Sequence, residues 1–295
     1  MRVTDSLKYE LFTRNLSKIK GLVDTAQTRI ASGKKVLSPS DDPVAASSGI
    51  GLEVEKKMNL QYERTLNKLK TLGSFYDTAI TGIHELLTKA KEIAITQASS
   101  TMDAATRKSS AEQIKGIIEQ LVTIGNTKLG NTYIFAGEKT DTVPFTLNNG
   151  YTVTYNGTED VSSVFIDRAT KEESGISGNR VFISDTNIFT VLKDLKDALE
   201  ENNVEGIRSS LDGLNASLEK TETNLSYIGT YVSRIEDYIS YKETRDLDIE
   251  EVISSMLDID ITQAVTEFNM LTNAYQAMLY SMAKIQDLNV LNYLK

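Results

Sequence analysis

Residues 9–30 read YELFTRNLSKIKGLVDTAQTRI, and residues 264–285 read AVTEFNMLTNAYQAMLYSMAKI. In the first, apolar side chains recur at Tyr9, Phe12, Leu16, Ile19, Val23, Ala26 and Ile30. In the second they recur at Ala264, Phe268, Leu271, Tyr275, Met278, Met282 and Ile285. Steps of three and four give a period near 3.5, the signature of an amphipathic helix whose seam seeks a partner helix. Each seam would be about 33 Å long at the α-helical rise. Two seams of equal length near opposite ends of one chain invite antiparallel pairing. The same periodicity also suits the core of a soluble helical bundle. Placement near the ends, with no nearby element to cover the outer faces, favours surplus apolar surface going to neighbouring molecules.

The rest of the composition narrows the class. A chain of 295 residues is long enough for one large core or two to three smaller ones. With 40% hydrophobic and 25% charged residues it reads as globular. Only three prolines occur, so long helices are permitted. The net charge of −9 and the absence of any Lys/Arg run argue against nucleic acid as a partner, since Lys34-Lys35 is too short to make a basic face. There is no cysteine, which excludes disulfides, zinc–thiolate sites and thiol nucleophiles. It also suits a chain that crosses redox compartments unfolded. Asp5, Lys8, Glu10, Arg14 and Lys18 interrupt any secretory h-region, and no run approaches the roughly 18 apolar residues of a membrane helix. The expectation is a protein that stays in the cytoplasm or leaves by a route needing no cleaved signal, without membrane insertion.

Local signals punctuate the chain. The first helix should run from about Asp5 to Ser32, with Gly33 in the left-handed position that ends it. After a polar segment, Asp42 should cap a second helix with Pro43 as its first residue. That helix continues to about Ser99 through Leu69, Gly73, Tyr76, Ile80, Ile83, Leu87, Ala90 and Ala94, and another spans about Ala104 to Asn126. Between 132 and 186 the composition turns to Gly, Asn, Thr and β-branched residues. Tyr151, Val153 and Tyr155 alternate with threonines between two Asn-Gly pairs, and Val164-Phe165-Ile166 forms a second candidate strand. Helical patterns resume near Asn187 and run to about Leu257. Asp260 with Gln263 fits a capping box for the last helix.

The predicted fold is therefore mainly α with a β insert, an elongated hairpin of helices whose two arms lie together and whose insert sits at the far tip. Residues 1–42 pair with 259–295, residues 43–131 with 187–258 form a central bundle, and 132–186 form an inserted, outward-facing β-domain.

Nothing in the sequence builds a reaction centre, metal site or cofactor site. His84 is a lone imidazole on a helix, read as a surface or boundary residue. Gly125 to Gly130 echoes a phosphate loop, but no strand precedes it and Asn131-Thr132 replaces the Lys-Ser/Thr that should follow, so it reads as a helix-end loop. The pairs Glu172-Glu173, Glu200-Glu201 and Glu250-Glu251 do not face each other on a helix and read as solvated faces. Asn156-Gly157-Thr158 is formally a glycan acceptor but is explained by its turn. A surface carbohydrate-binding or hydrolytic module with coiled-coil ends is the reading from another class.

The stretch Ile30-Ala-Ser32-Gly33-Lys-Lys-Val-Leu-Ser-Pro-Ser-Asp41-Asp42-Pro43-Val-Ala-Ala46 resembles the flagellin superfamily, in which a helix ending in Ser-Gly precedes a polar segment and an Asp-Asp helix start. Met1-Arg2-Val3 and the segment from Leu288 to Lys295 fit the same picture, and the resemblance covers both helical arms. Pro43 stands where filament flagellins usually have Ala. With Tyr133-Ile134-Phe135-Ala136-Gly137, Tyr227-Ile228-Gly229 and Asp258-Ile259-Asp260, it is similar to the hook-associated branch rather than to filament flagellins, which are the nearest alternative.

The resemblance implies a structural, non-enzymatic subunit at the hook–filament junction, outside the cell, built on coiled-coil-type self-assembly into a ring. It implies contacts with another hook-associated protein and with flagellin. It also implies type III export without a cleaved signal, and an export chaperone on the C-terminal region. The seam residues from Phe12 to Ile30 and from Ala264 to Ile285 are then the expected assembly interface.

Overall fold

Gly33 takes φ +69° and stops the first helix where its sequence predicts. The computed structural model describes residues 2–287, with side chains described for Leu7 and for 9–284. Met1 and Leu288–Lys295 of the motif fragments, and the side chains of Arg2, Val3 and the seam residue Ile285, thus lie outside the described residues. The helices are α1 (Arg2–Ser32), α2 (Pro43–Gln97), α3 (Ala104–Gly125), α4 (Ile188–Glu200), α5 (Val204–Leu257) and α6 (Ile261–Asp287). Between α3 and α4 lie six short strands: β1 (Lys128–Leu129), β2 (Thr132–Tyr133), β3 (Phe145–Leu147), β4 (Val153–Tyr155), β5 (Ser163–Phe165) and β6 (Lys171–Glu173). They pair antiparallel as β1–β2, β3–β4 and β5–β6, three separate two-stranded sheets. The fold is mainly helical with a small β insert, as read from the sequence.

The caps follow the residues that announced them. Asp42 Oδ1 accepts from the amides of Val44 and Ala45 at 3.1 and 2.9 Å, and Pro43 opens α2. Asp103 caps α3 and Asn187 caps α4 by the same device. Asp260 Oδ1 accepts from Thr262 and Gln263 at the start of α6. One expectation changes in detail. Tyr151 does not belong to a strand: it sits at φ +59° in a 3-10 turn with Asn149 and Gly150, and β4 starts only at Val153. The turn between β3 and β4 needs more residues than a two-residue Asn-Gly hairpin, so Tyr151 is consumed by it.

The chain divides into two compact units. One comprises Met58–Thr244, the other the residues up to Lys57 with those from Arg245 onward. The division cuts α2 and α5 rather than falling at their ends. Met58–Thr244 holds the large core. Tyr76, Ile80, Ile83 and Leu87 of α2 meet Ile114, Ile118 and Leu121 of α3, Phe189, Leu192 and Leu195 of α4, and Ile207, Leu214 and Ile228 of α5. Phe135, Phe145 and Phe182 join the same cluster, so the insert shares this core instead of building its own. Phe145 packs at ring-centroid distances of 4.7 Å from Phe182, 5.0 Å from Tyr155 and 5.4 Å from Phe189, in tilted arrangements that aromatic rings favour.

In the other unit α1 packs against α6. The pair is antiparallel because the end of α1 is stitched to the start of α6. The Ile259 amide donates to Gly33 O at 3.0 Å, the Lys35 amide donates to Leu257 O at 2.8 Å, and the Lys34 ammonium pairs with the Asp258 carboxylate.

Candidate assembly surface

The α1–α6 pair is built from the seams. Along the described part of α1, the positions shielded from solvent are Phe12, Leu16, Ile19, Val23, Ala26, Arg29 and Ile30. Along α6 they are Ala264, Phe268, Leu271, Thr272, Tyr275, Met278 and Met282. These are the seam residues with only Arg29 and Thr272 added. Tyr9 is the exception and is exposed. Shielding is partial, however. Only Ala26 and Ala264 are buried, and the larger seam side chains are half-buried.

Large apolar side chains also stand outside the seams. Leu7, Leu11 and Leu22 stand exposed on α1, and Ile261, Val265, Met270, Leu279 and Tyr280 on α6, the last at 77%. Val44, Ile50, Val54, Leu247 and Val252 of the same unit are also exposed. Against this, its buried apolar residues are Ala26, Ala45, Ile249, Ile253 and Ala264, and both buried hydrophobic clusters lie within Met58–Thr244. The apolar side chains of this unit are thus mostly exposed, unlike those of Met58–Thr244. The predicted seams line the contact between α1 and α6. On α1 the outer leucines fall on a second 3-4 stripe, with Arg14 and Lys18 between Leu11 and Leu22.

The polar motif from Ser32 to Asp42 is the clasp beside this surface. Ser32 Oγ donates to Arg29 O at 3.2 Å and accepts from the Lys34 amide at 3.3 Å. The Asp41 carboxylate accepts from the amides of Leu37 and Ser38, both at 3.0 Å, which hold its pKa below the ordinary carboxylate value. The Lys34 ammonium, then the Ser254 hydroxyl, lower that of Asp258. Gly49 lets Leu257 close on α2, since a Cβ there would lie 2.8 Å from Leu257 Cδ1. Ser32, Gly33, Asp41, Asp42 and Pro43 thus serve the turn between α1 and α2. Tyr133, Phe135 and Gly137 serve elsewhere. The Lys128 ammonium stands 4.4 Å over the Tyr133 ring, Phe135 is fully buried, and Gly137 at φ +67° passes against Thr158 O.

The positions weighed for chemistry make the following contacts. His84 Nδ1 lies 3.1 Å from Thr221 Oγ1. Gly125 packs under the Phe145 ring, and the Asn126 amide clamps the Phe145 backbone at 2.8 and 2.9 Å, so this loop secures a helix end. Glu172 pairs with Arg234, Glu200 with Lys115 and Lys196, and Glu250 with Lys56. Among the described residues no group of three His, Cys, Asp or Glu is placed to hold a metal, and no helix is long and apolar enough to cross a membrane.

Comparison with known proteins agrees with this arrangement. Residues 8–140 match the family described as the bacterial flagellin N-terminal helical region, and residues 211–294 match the bacterial flagellin C-terminal helical region. Flagellar hook-associated protein 3 of Salmonella typhimurium strain LT2 is 28% identical over 224 residues, 70% of each chain. Flagellar hook-associated protein 3 of Escherichia coli strain K12 is 27% identical over 215 residues, 68% of this chain and 67% of that one. Among solved structures, one assigned as a flagellar hook-associated protein from Vibrio parahaemolyticus has the same fold. It has a TM-score of 0.69 at 20% identity and covers 74% of this chain and 100% of that chain.

Proposed function

This chain belongs to the bacterial flagellin family and is a structural component of the flagellum, and from that premise we propose that it serves as the junction subunit between hook and filament. The observation that carries the reading is the unit formed by α1 and α6. It pairs two helices along one seam, buries little more than alanines, and leaves further large apolar side chains on each helix exposed. An isolated subunit gains too little from such a pair to offset ordering, at about 1–2 kcal/mol per residue for the backbone. Each large side chain covered by a neighbour returns about 1.5–3 kcal/mol. Assembly and ordering are therefore coupled, with copies forming a ring that contacts another hook-associated protein on one side and flagellin on the other.

The same surface explains a chaperone requirement, because the α6 face must be shielded before export through a channel that takes unfolded chains. The matches to hook-associated protein 3 support the junction position over that of a filament subunit. The test is a deletion strain complemented with variants. Loss of the protein should release flagellin into the medium while hooks remain. Phe268→Asp or Leu271→Asp should fail to complement and fail to bind the chaperone, while the core around Ile118 and Phe145 stays folded by circular dichroism. Normal filament growth on either variant would refute the assembly role.

A further inference from the structure

Two exposed faces of the same unit are opposite in charge and alike in apolar content, and we propose that they dock on each other between adjacent copies of this chain, head to tail. The first face lies on α1. Leu7, Leu11, Arg14, Lys18, Leu22 and Thr25 recur at steps of four, three, four, four and three, a second stripe that is exposed throughout. The charged side chains on this stripe, Arg14 and Lys18, are both cations. Among the described residues Arg14 pairs with Glu10, both side chains about two-thirds exposed or more, a surface pair that holds the cation weakly. Lys18 makes no ion pair among the described residues.

The second face lies near the end of α5. From 246 to 252 the chain carries Asp246, Asp248, Glu250 and Glu251 and no base. Ile249 and Ile253 are buried, and on the opposite side of that helix Leu247, Asp248, Glu251 and Val252 are exposed, Leu247 at 67%. Glu250 already pairs with Lys56, whereas Asp248 and Glu251 make no ion pair among the described residues.

Each face offers leucine or valine flanked by charges of one sign, and the signs are complementary. Such faces attract and orient one another, and like faces repel. The two patches differ, so the contact is heterologous. A heterologous contact repeated through identical copies closes a ring or winds a helix instead of stopping at a dimer. The inference rests on the self-assembly proposed above and adds which surfaces meet and in what sense.

The absence of cysteine makes the test clean, because any introduced thiol reports only its own position. Full-length chains carrying Lys18→Cys, Glu251→Cys or both are expressed in the deletion strain. Purified flagella are then treated with a short bis-maleimide. The double variant should give a ladder beyond dimer, each single variant should stay monomeric, and co-expressed singles should stop at a dimer. Motility lost on Lys18→Glu should return, at least tenfold in swarm rate, when Glu251→Lys is added. Dimers from either single variant, cross-links only to another flagellar protein, or a chain present in flagella without a ladder would overturn the contact and leave the self-assembly reading standing. A chain absent from purified flagella would overturn both.

Discussion

The Lys242 ammonium lies 3.1 Å from Asp167 Oδ2, its side chain 4% exposed and that of Asp167 42% exposed. Asn59 Oδ1 stands 3.4 Å from the same nitrogen, and the Tyr62 ring centroid 5.2 Å away. Asp167 sits in the turn between β5 and β6. One lysine therefore pins the last hairpin of the insert to α2 and α5. Beside it Ile166 enters a small cluster with Leu66, Leu69, Tyr231 and Ile235.

That pair predicts an acid-sensitive contribution to stability. Burial pushes the Asp167 carboxyl up, but the Arg168 amide and Lys242 outweigh it and hold the folded pKa below the ordinary value of 3.8. A depressed carboxylate stabilises the fold above its unfolded pKa, and the contribution fades as pH falls through the folded one. Asp167→Asn should cost about 1 kcal/mol at pH 7, a modest figure because the carboxylate is half in solvent. Its urea midpoint should also fall less than the parent's between pH 5 and pH 3. Equal falls in the two proteins would remove the pair from the account.

Gly73 and Gly229 should respond to alanine in opposite directions. A Cβ at Gly73 would lie 2.6 Å from Val232 Cγ2, where α2 and α5 pack closely, while one at Gly229 meets nothing within 4 Å. Alanine gains about 1 kcal/mol of helix propensity at either site. At Gly73 overpacking costs about 1–3 kcal/mol against it. Thermal unfolding should show Gly73→Ala destabilised and Gly229→Ala stabilised, and a gain at Gly73 would contradict the tight crossing.

Arg107 ties two helix turns together. Its Nε donates to Gln97 O at 3.1 Å, Nη2 to Ser99 O at 2.7 Å and Nη1 to Asn202 Oδ1, with the residue 3% exposed. Lysine offers no planar fork, so Arg107→Lys should be destabilised nearly as much as Arg107→Met, by about 2–4 kcal/mol for acceptors left without donors. Amide exchange should quicken at 97–103 and 200–204. Full rescue by lysine would show that charge alone matters there.

Lys34→Ala should loosen the clasp without touching the core of Met58–Thr244. It removes the cation paired with Asp258 but leaves the Gly33–Ile259 and Lys35–Leu257 backbone bonds. Limited proteolysis should accelerate within α1 and α6 by a few-fold while Met58–Thr244 resists as before. Cleavage spreading into α3 or α4 would count against a separately stable core.

Helix limits were legible because each is written by one residue with one physical role: Gly33 at the left-handed stop, Asp42-Pro43, Asn187 and Asp260 at starts. The seams were legible for the same local reason. The outer stripe on α1 was not read, since charged Arg14 and Lys18 interrupt the leucines and lower the apolar signal. Strands β1, β2 and β6 span only two or three residues, too few to show alternation. The aromatic cluster joins Tyr76, Phe135, Phe145, Phe182 and Phe189, positions spread over more than a hundred residues, which no window along the chain can connect.

Lys34 and Asp258 stand 224 positions apart in sequence, and α1 finds its partner helix only beyond that point. Closing so distant a contact is slow compared with forming a local turn. The end of α1 therefore cannot latch until the residues around Asp258 are in place. The clasp thus closes late in folding, after the local turns of the Met58–Thr244 core.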